Sequence, residues 1–139
     1  MNEHLGYAGD VTPQEAYDAV ESGRGRLIDV RTAAEWTYVG VPVMPGERAV
    51  GFVEWVSYPN GTPNGAFVDQ LTHSGVEPGE PLYFLCRSGV RSVAAAQAAT
   101  GAGLGPAYNI LEGFEGPHDA DGHRTVAGWK VAGLPWRQG

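Results

Sequence analysis

A single cysteine, Cys86, is all that the 139 residues carry, so no disulfide can close within the chain. Nothing in its cysteine usage advertises an oxidising compartment. Apolar runs are short as well, and none approaches the roughly 18 residues that a membrane-crossing helix requires. The opening MNEHLGYAGD has neither the basic start nor the apolar core of a signal peptide. These shortages lead to the expectation of a soluble, cytoplasmic protein without a membrane partner. Basic residues are also scarce: nine Lys and Arg against sixteen Asp and Glu leave a net charge of −7, a field that repels phosphate backbones and anionic lipid. Nucleic acid is therefore not an expected partner. The 21 glycines and 10 prolines show no fixed period, which excludes collagen-like and repeat architectures and leaves them as markers of turns.

What is present fits one globular domain. Hydrophobic residues make up 42% and charged residues 18%, and a chain of this length buries a single core without covalent staples. The domain is expected over residues 12–139, with residues 1–11 as an N-terminal extension. Thr12-Pro13-Gln14-Glu15 combines a capping hydroxyl, a proline at the first helical position and a carboxylate three residues after the cap, which predicts a helix from Pro13 to about Ser22. Arg26 to Val30 (RLIDV) reads as a strand buried on both faces, with Asp29 near its carboxyl end. A short helix is expected around Ala33 to Thr37, a turn over Gly40 to Pro45, a further strand within Arg48 to Val53, and a loop over Asn60 to Gly65. Ala66 to His73 places Phe67, Val68 and Leu71 on one helical face, with Gly75 ending it. Pro81 to Leu85 is the clearest strand, Ser92 to Thr100 an alanine-rich helix, and Ala107 to Leu111 a last strand. Short strands alternating with helices define an α/β fold, a central parallel β-sheet with helices on both faces.

Cys86 stands directly after the clearest strand, where an open parallel sheet binds its ligands. The residues that follow lead into a helix, so their backbone N–H groups and the helix dipole can converge on whatever the sulfur carries. Arg87 and Arg91 add positive charge, and such surroundings favour the nucleophilic thiolate. Gly89 permits a tight turn, and Ser88 offers a hydroxyl.

Cys86-Arg87-Ser88-Gly89-Val90-Arg91-Ser92 resembles the active-site loop of the rhodanese family of sulfurtransferases. Leu27-Ile28-Asp29-Val30-Arg31 with Glu35-Trp36, Asn109 to Gly113, and Gly128-Trp129 to Pro135 are similar to further segments of that family, in the same order, so the likeness spans about Thr12 to Trp136. The resemblance implies a single rhodanese-like domain. It also implies a two-step cycle, in which Cys86 takes a sulfane sulfur from a donor such as thiosulfate and passes it, as a persulfide, to cyanide or a thiol. Arg87, Ser88, Gly89, Val90 and Arg91 would form the substrate-binding loop. No cofactor and no metal is implied, and with one cysteine the acceptor must be external, a small molecule or a sulfur-accepting protein. Two other readings remain: a sulfur-carrier or sensor module serving a dedicated protein partner, and a cysteine-dependent phosphatase. The phosphatases of this fold have five residues between cysteine and arginine, whereas Cys86 and Arg91 enclose four. The family's glycine-histidine-isoleucine-proline turn is replaced by Gly40-Val41-Pro42-Val43, and Phe114 to Val126 is an insertion.

Arg91 has two readings, steering anionic donors or clamping the loop by pairing with Glu35 or Asp29. The clamp is preferred because a free cation is disfavoured at a helix start. Asp29, Arg31 and Glu35 are expected as structural support. His118, Asp119, Asp121 and His123 could be metal ligands by type, but a segment so dense in turn formers reads as a solvated loop. Asp69 and His73 read as a surface contact, and Trp36, Trp55, Trp129 and Trp136 as core and rim aromatics.

Overall fold

Four consecutive buried residues, Leu82 to Leu85, mark the middle of a sheet covered on both faces, since a strand with one wet face would alternate. The computed structural model describes residues 7–38, 40–43, 50–57, 62–74, 76, 79–86, 91–111, 114, 129 and 133–137. Along the chain these form β1 (Gly9–Val11), α1 (Pro13–Glu21), β2 (Arg26–Asp29), α2 (Ala33–Tyr38), β3 (Val41–Pro42), β4 (Gly51–Phe52), β5 (Val56–Ser57), β6 (Thr62–Pro63), α3 (Phe67–His73), β7 (Leu82–Leu85), α4 (Arg91–Gly101), β8 (Ala107–Ile110) and β9 (Trp136–Arg137). The main sheet has five strands in the order β1-β8-β7-β2-β4, and every pair in it is parallel.

Side chains alternate across this sheet, as a two-residue period requires. Leu82, Phe84 and Ile28 face α3 and α4, where they meet Phe67, Leu71, Ala95, Ala96 and Ala99. Tyr83, Leu85, Leu27 and Ile110 face the other way, against Ala16, Ala19 and Val20 of α1 and the buried Trp129 and Phe114. The alanines give α4 both a high helix propensity and a flat surface to lay on the strands. Gly25 has φ of +153°, and a Cβ there would lie 2.6 Å from the Tyr83 ring and 2.8 Å from the Pro81 carbonyl. Only glycine lets the start of β2 run so close beside β7.

Helix α1 begins as its sequence predicts: Glu15 N donates to Thr12 Oγ1 at 3.1 Å, and Thr12 N donates back to Glu15 Oε1 at 2.8 Å. Three expectations are corrected. The sheet begins before Thr12, because β1 pairs with β8 and Tyr7 is buried in the core; residues 7–11 thus pack with the domain. Thr62 and Pro63, read as loop, pair antiparallel with β5, a short ribbon in which proline's missing donor is tolerated at an edge. Val41 and Pro42, read as a turn, pair antiparallel with β9. Among the described residues the strand expected within Arg48 to Val53 covers Gly51–Phe52, and Arg48, Ala49, Gly75 and 115–126 of the insertion lie outside the described residues.

Removing the Thr12 hydroxyl strands one N–H at the start of α1. Thr12→Ala is expected to lower the unfolding free energy by about 1 kcal/mol, against about 3–5 kcal/mol for Phe84→Ala in the core, as read from urea titrations. Equal losses would contradict the division of labour between cap and core.

Candidate active site

The chain passes from β2 to β4 on one side of the sheet and from β7 to β8 on the other, so the connections leaving β2 and β7 diverge. Between such strands a crevice opens at their carboxyl ends. Asp29 and Leu85 are register partners there, and Val30 N donates to Leu85 O at 2.8 Å. Cys86, the next residue, is 1% exposed, and its carbonyl accepts from Phe114 N at 2.8 Å.

Cys86 Sγ lies 3.2 Å from Ser92 Oγ, on the first turn of α4. The Ser92 hydroxyl donates to Asn109 Oδ1, Asn109 Nδ2 donates to Asp10 Oδ1 at 3.0 Å, and the Tyr7 hydroxyl donates to the same carboxylate oxygen at 2.8 Å. A line of polar groups therefore runs from the thiol across β8 to β1. Sequence reasoning assigned no role to Ser92, Asn109 or Asp10. The available signal was Asn109 itself, an amide in the otherwise apolar run Ala107 to Leu111 that needs a partner once buried.

Arg91 forks onto Glu35, with Nη1 to Oε1 at 2.7 Å and Nη2 to Oε2 at 2.9 Å. Of the two partners that the sequence offered, Glu35 is the one it takes. Glu35 Oε1 also accepts from Thr32 N and Thr32 Oγ1, both at 3.1 Å, so the carboxylate both caps α2 and holds α4. Burial would raise the Glu35 pKa, but the Arg91 and Thr32 hydrogen bonds and the Arg91 charge outweigh it and hold it below the ordinary 4.5. Arg91 is correspondingly pushed up, chiefly by its hydrogen bonds to Glu35 against the cost of burial, with smaller contributions from the charges of Glu35, Cys86 and Asp29.

Asp29 and Arg31 form a second pair with no exposed side-chain surface on either partner. Arg31 Nε and Nη2 bind the carboxylate at 3.0 and 2.7 Å, Nη2 also donates to Gly40 O at 2.7 Å, and the guanidinium lies 4.2 Å over the Phe114 ring. These contacts span three separate segments.

Arg87, Ser88, Gly89 and Val90 lie outside the described residues, as do His118, Asp119, Asp121 and His123. Among the described residues no cluster of three or more His, Cys, Asp or Glu is placed to hold a metal, and no helix is long and apolar enough to cross a membrane. His73 is exposed and its Nδ1 meets the Asp69 carbonyl at 2.7 Å, not its carboxylate. Trp129 is fully buried, whereas Trp136 is 38% exposed.

A parallel sheet with its cysteine at the carboxyl end of a central strand and a helix starting five positions later is the arrangement of a known class. The rhodanese-like domain family matches residues 12–120, and the chain belongs to that family. It is 34% identical over 130 residues to an uncharacterized protein of Rickettsia conorii, covering 92% of this chain and 96% of that one. A crystal structure from M. tuberculosis superposes with a TM-score of 0.87 at 50% identity, covering 96% of this chain and 99% of the other. The polysulfide-sulfur transferase homodimer of Wolinella succinogenes shares the fold, with a TM-score of 0.65 at 21% identity over 99% of this chain and 87% of that one.

Because the Glu35 pKa is lowered in the folded protein, its contribution to stability is complete above about 4.5 and is lost as pH falls through the lower folded value. Glu35→Gln should therefore destabilise by about 2 kcal/mol near neutrality, and the gap to the parent should close between pH 4.5 and more acidic solution. Urea titrations across that range read it directly; a gap that stayed constant with pH would show that the charge on Glu35 does not matter.

Proposed function

We propose that this protein is a rhodanese-type sulfurtransferase that moves a sulfane sulfur from a donor such as thiosulfate to a thiophilic acceptor, cyanide or a thiol, through a persulfide on Cys86. The observation that carries the reading is the position of Cys86: the residue after β7, at the crevice where the connections of a parallel sheet diverge, with a helix starting five positions later. Family membership supports it. In the first step the Cys86 thiolate attacks the outer sulfur of thiosulfate, a new sulfur–sulfur bond forms, and sulfite leaves with the electron pair of the bond it loses. In the second, the acceptor attacks the terminal sulfur and leaves as thiocyanate or as a new persulfide, which regenerates the Cys86 thiolate. Atoms and charge balance without a resident metal or cofactor. This is covalent catalysis with ping-pong kinetics.

In this reading the amides of Ser88, Gly89 and Val90 cradle the transferred sulfur and Arg87 contacts the anionic donor, as the resemblance of the loop implies. Arg91, committed to Glu35 on both of its terminal nitrogens, acts as the clamp that sets the loop against α2, and Asp29 and Arg31 support the same region. A reducing cytoplasm, with small thiols as acceptors, suits a persulfide that must be discharged from outside. The sole cysteine also favours a related reading, a sulfur carrier for a dedicated protein partner, since nothing within the chain can resolve the persulfide. The loop of four residues between Cys86 and Arg91 argues against a phosphatase.

Incubation with thiosulfate should add one sulfur atom to the intact mass, located at Cys86 and removed by cyanide, and Cys86→Ser should abolish both the gain and thiocyanate formation while circular dichroism stays that of the parent. Thiocyanate formed at the parent rate by Cys86→Ser would sink the proposal. Loading that discharges onto a protein acceptor but not onto cyanide would select the carrier reading.

A further inference from the structure

The buried polar line behind the thiol has no part in the cycle above, yet its hydrogen bonds are determined with little freedom. Ser92 is fully buried, Cys86 1% exposed and Asn109 3% exposed, so the donors and acceptors of these three side chains must be served from within the protein. Asp10, as a carboxylate, only accepts. It meets Asn109 at 3.0 Å and the Tyr7 hydroxyl at 2.8 Å on the same oxygen, and it therefore demands the NH₂ side of the Asn109 amide. The amide cannot flip without setting oxygen against oxygen, so its Oδ1 is turned toward Ser92.

The Ser92 hydroxyl has one proton and two acceptors within reach, Asn109 Oδ1 and Cys86 Sγ at 3.2 Å. While the sulfur carries its own proton, Ser92 gives its hydrogen to Asn109 and can accept from the thiol. Once the sulfur is anionic, the hydroxyl gains a charge-assisted bond by turning to it, but Asn109 Oδ1 then loses that buried donor, which has a cost. The amide cannot carry the proton onward, so the line is not a proton wire. It is a competition for a single hydroxyl hydrogen.

We propose that Asn109, locked in orientation by Asp10, is a positioning residue that tunes the nucleophilicity of Cys86 by competing with the sulfur for the Ser92 hydroxyl. The proposal rests on the reading of Cys86 as nucleophile but requires no particular sulfur donor. Two variants should then move reactivity in opposite directions. Ser92→Ala removes the donor from the thiolate and slows its reaction. Asn109→Leu, of similar shape, removes the competitor, releases the hydroxyl to the sulfur and speeds it. Asp10→Ala frees the amide to flip and should act in the same direction as Asn109→Leu, more weakly. Asp10 is exposed, so this variant leaves the core packing intact. The charged groups nearby, Arg91 on α4 with its Glu35 partner on α2 and Asp29 with Arg31 at the end of β2, are unchanged in all of these.

The test is the rate at which iodoacetamide adds to Cys86 in the full-length protein at neutral pH, followed by intact mass. Expected results are a fall of about fivefold for Ser92→Ala and a rise of about fivefold for Asn109→Leu, a smaller rise for Asp10→Ala, and recovery of the parent rate when the hydroxyl is restored as Ser92→Thr. Parent rates in Asp10→Ala and Asn109→Leu, or rates that fall in all variants as simple loss of packing would cause, overturn the proposal. If Asn109→Leu does not fold, the sign of the Asp10→Ala effect decides alone. Alkylation needs no sulfur donor, so a parent protein that never loads sulfur refutes the transfer reading and leaves this result to be judged by itself.

Discussion

Asp29 and Arg31 bring a carboxylate and a guanidinium into a place where neither side chain has exposed surface, and the surroundings of Cys86 are assembled on that pair. Burying two charges is favourable only when their hydrogen bonds are largely met. Here the carboxylate is gripped by both Nε and Nη2, it also accepts from the Arg31 backbone at 3.0 Å, and the guanidinium reaches on to the Gly40 carbonyl and stacks on Phe114. Phe114 in turn donates its N–H to the Cys86 carbonyl. One ion pair thus ties the end of β2, the approach to β3 and the segment after β8 to the backbone of the thiol. Loss of either partner would leave an uncompensated buried charge, so the pair is an all-or-none device.

The second ion pair divides the electrostatic work. Arg91 stands at the start of α4, the positive end of a helix, where an unpaired cation would be unfavourable. Its fork onto Glu35 removes that conflict and joins α4 to α2, and the same carboxylate caps α2 through Thr32. A lysine could not hold both oxygens in this planar geometry. The two connections that leave the crevice on opposite sides are in this way fastened to each other, and the thiol between them sits in a frame of neutralised pairs.

Much of the scaffold was legible because the signals were local. The capping box at Thr12, the apolar stripe of Phe67 and Leu71 and the run Leu82 to Leu85 each concern residues a few positions apart, and all three became the elements expected. The candidate site was legible for a similar reason, since a strand, a cysteine and a helix start are adjacent in the chain. The misreadings share the opposite feature. Gly9–Val11 is a strand only because β8 lies beside it, Thr62–Pro63 only because β5 does, and Val41–Pro42 only because β9, more than ninety residues away in the chain, supplies its hydrogen bonds. Strands of two or three residues carry too little pattern to be read alone.

The order of local elements, the place of the single cysteine after a buried strand and the membership of an α/β class were determined by the sequence itself, because periodicity, capping and turn chemistry act over a few residues. Which of two carboxylates would take Arg91, and that Ser92, Asn109 and Asp10 would stand in line behind the sulfur, only the tertiary structure decided. Asn109 and Asp10 come from strands at opposite ends of the chain, and their meeting depends on the parallel register of β1 against β8. For a hydrogen bond between residues 99 positions apart, an amide in an apolar run shows only that a partner is needed once it is buried, and the fold alone decides which partner that is.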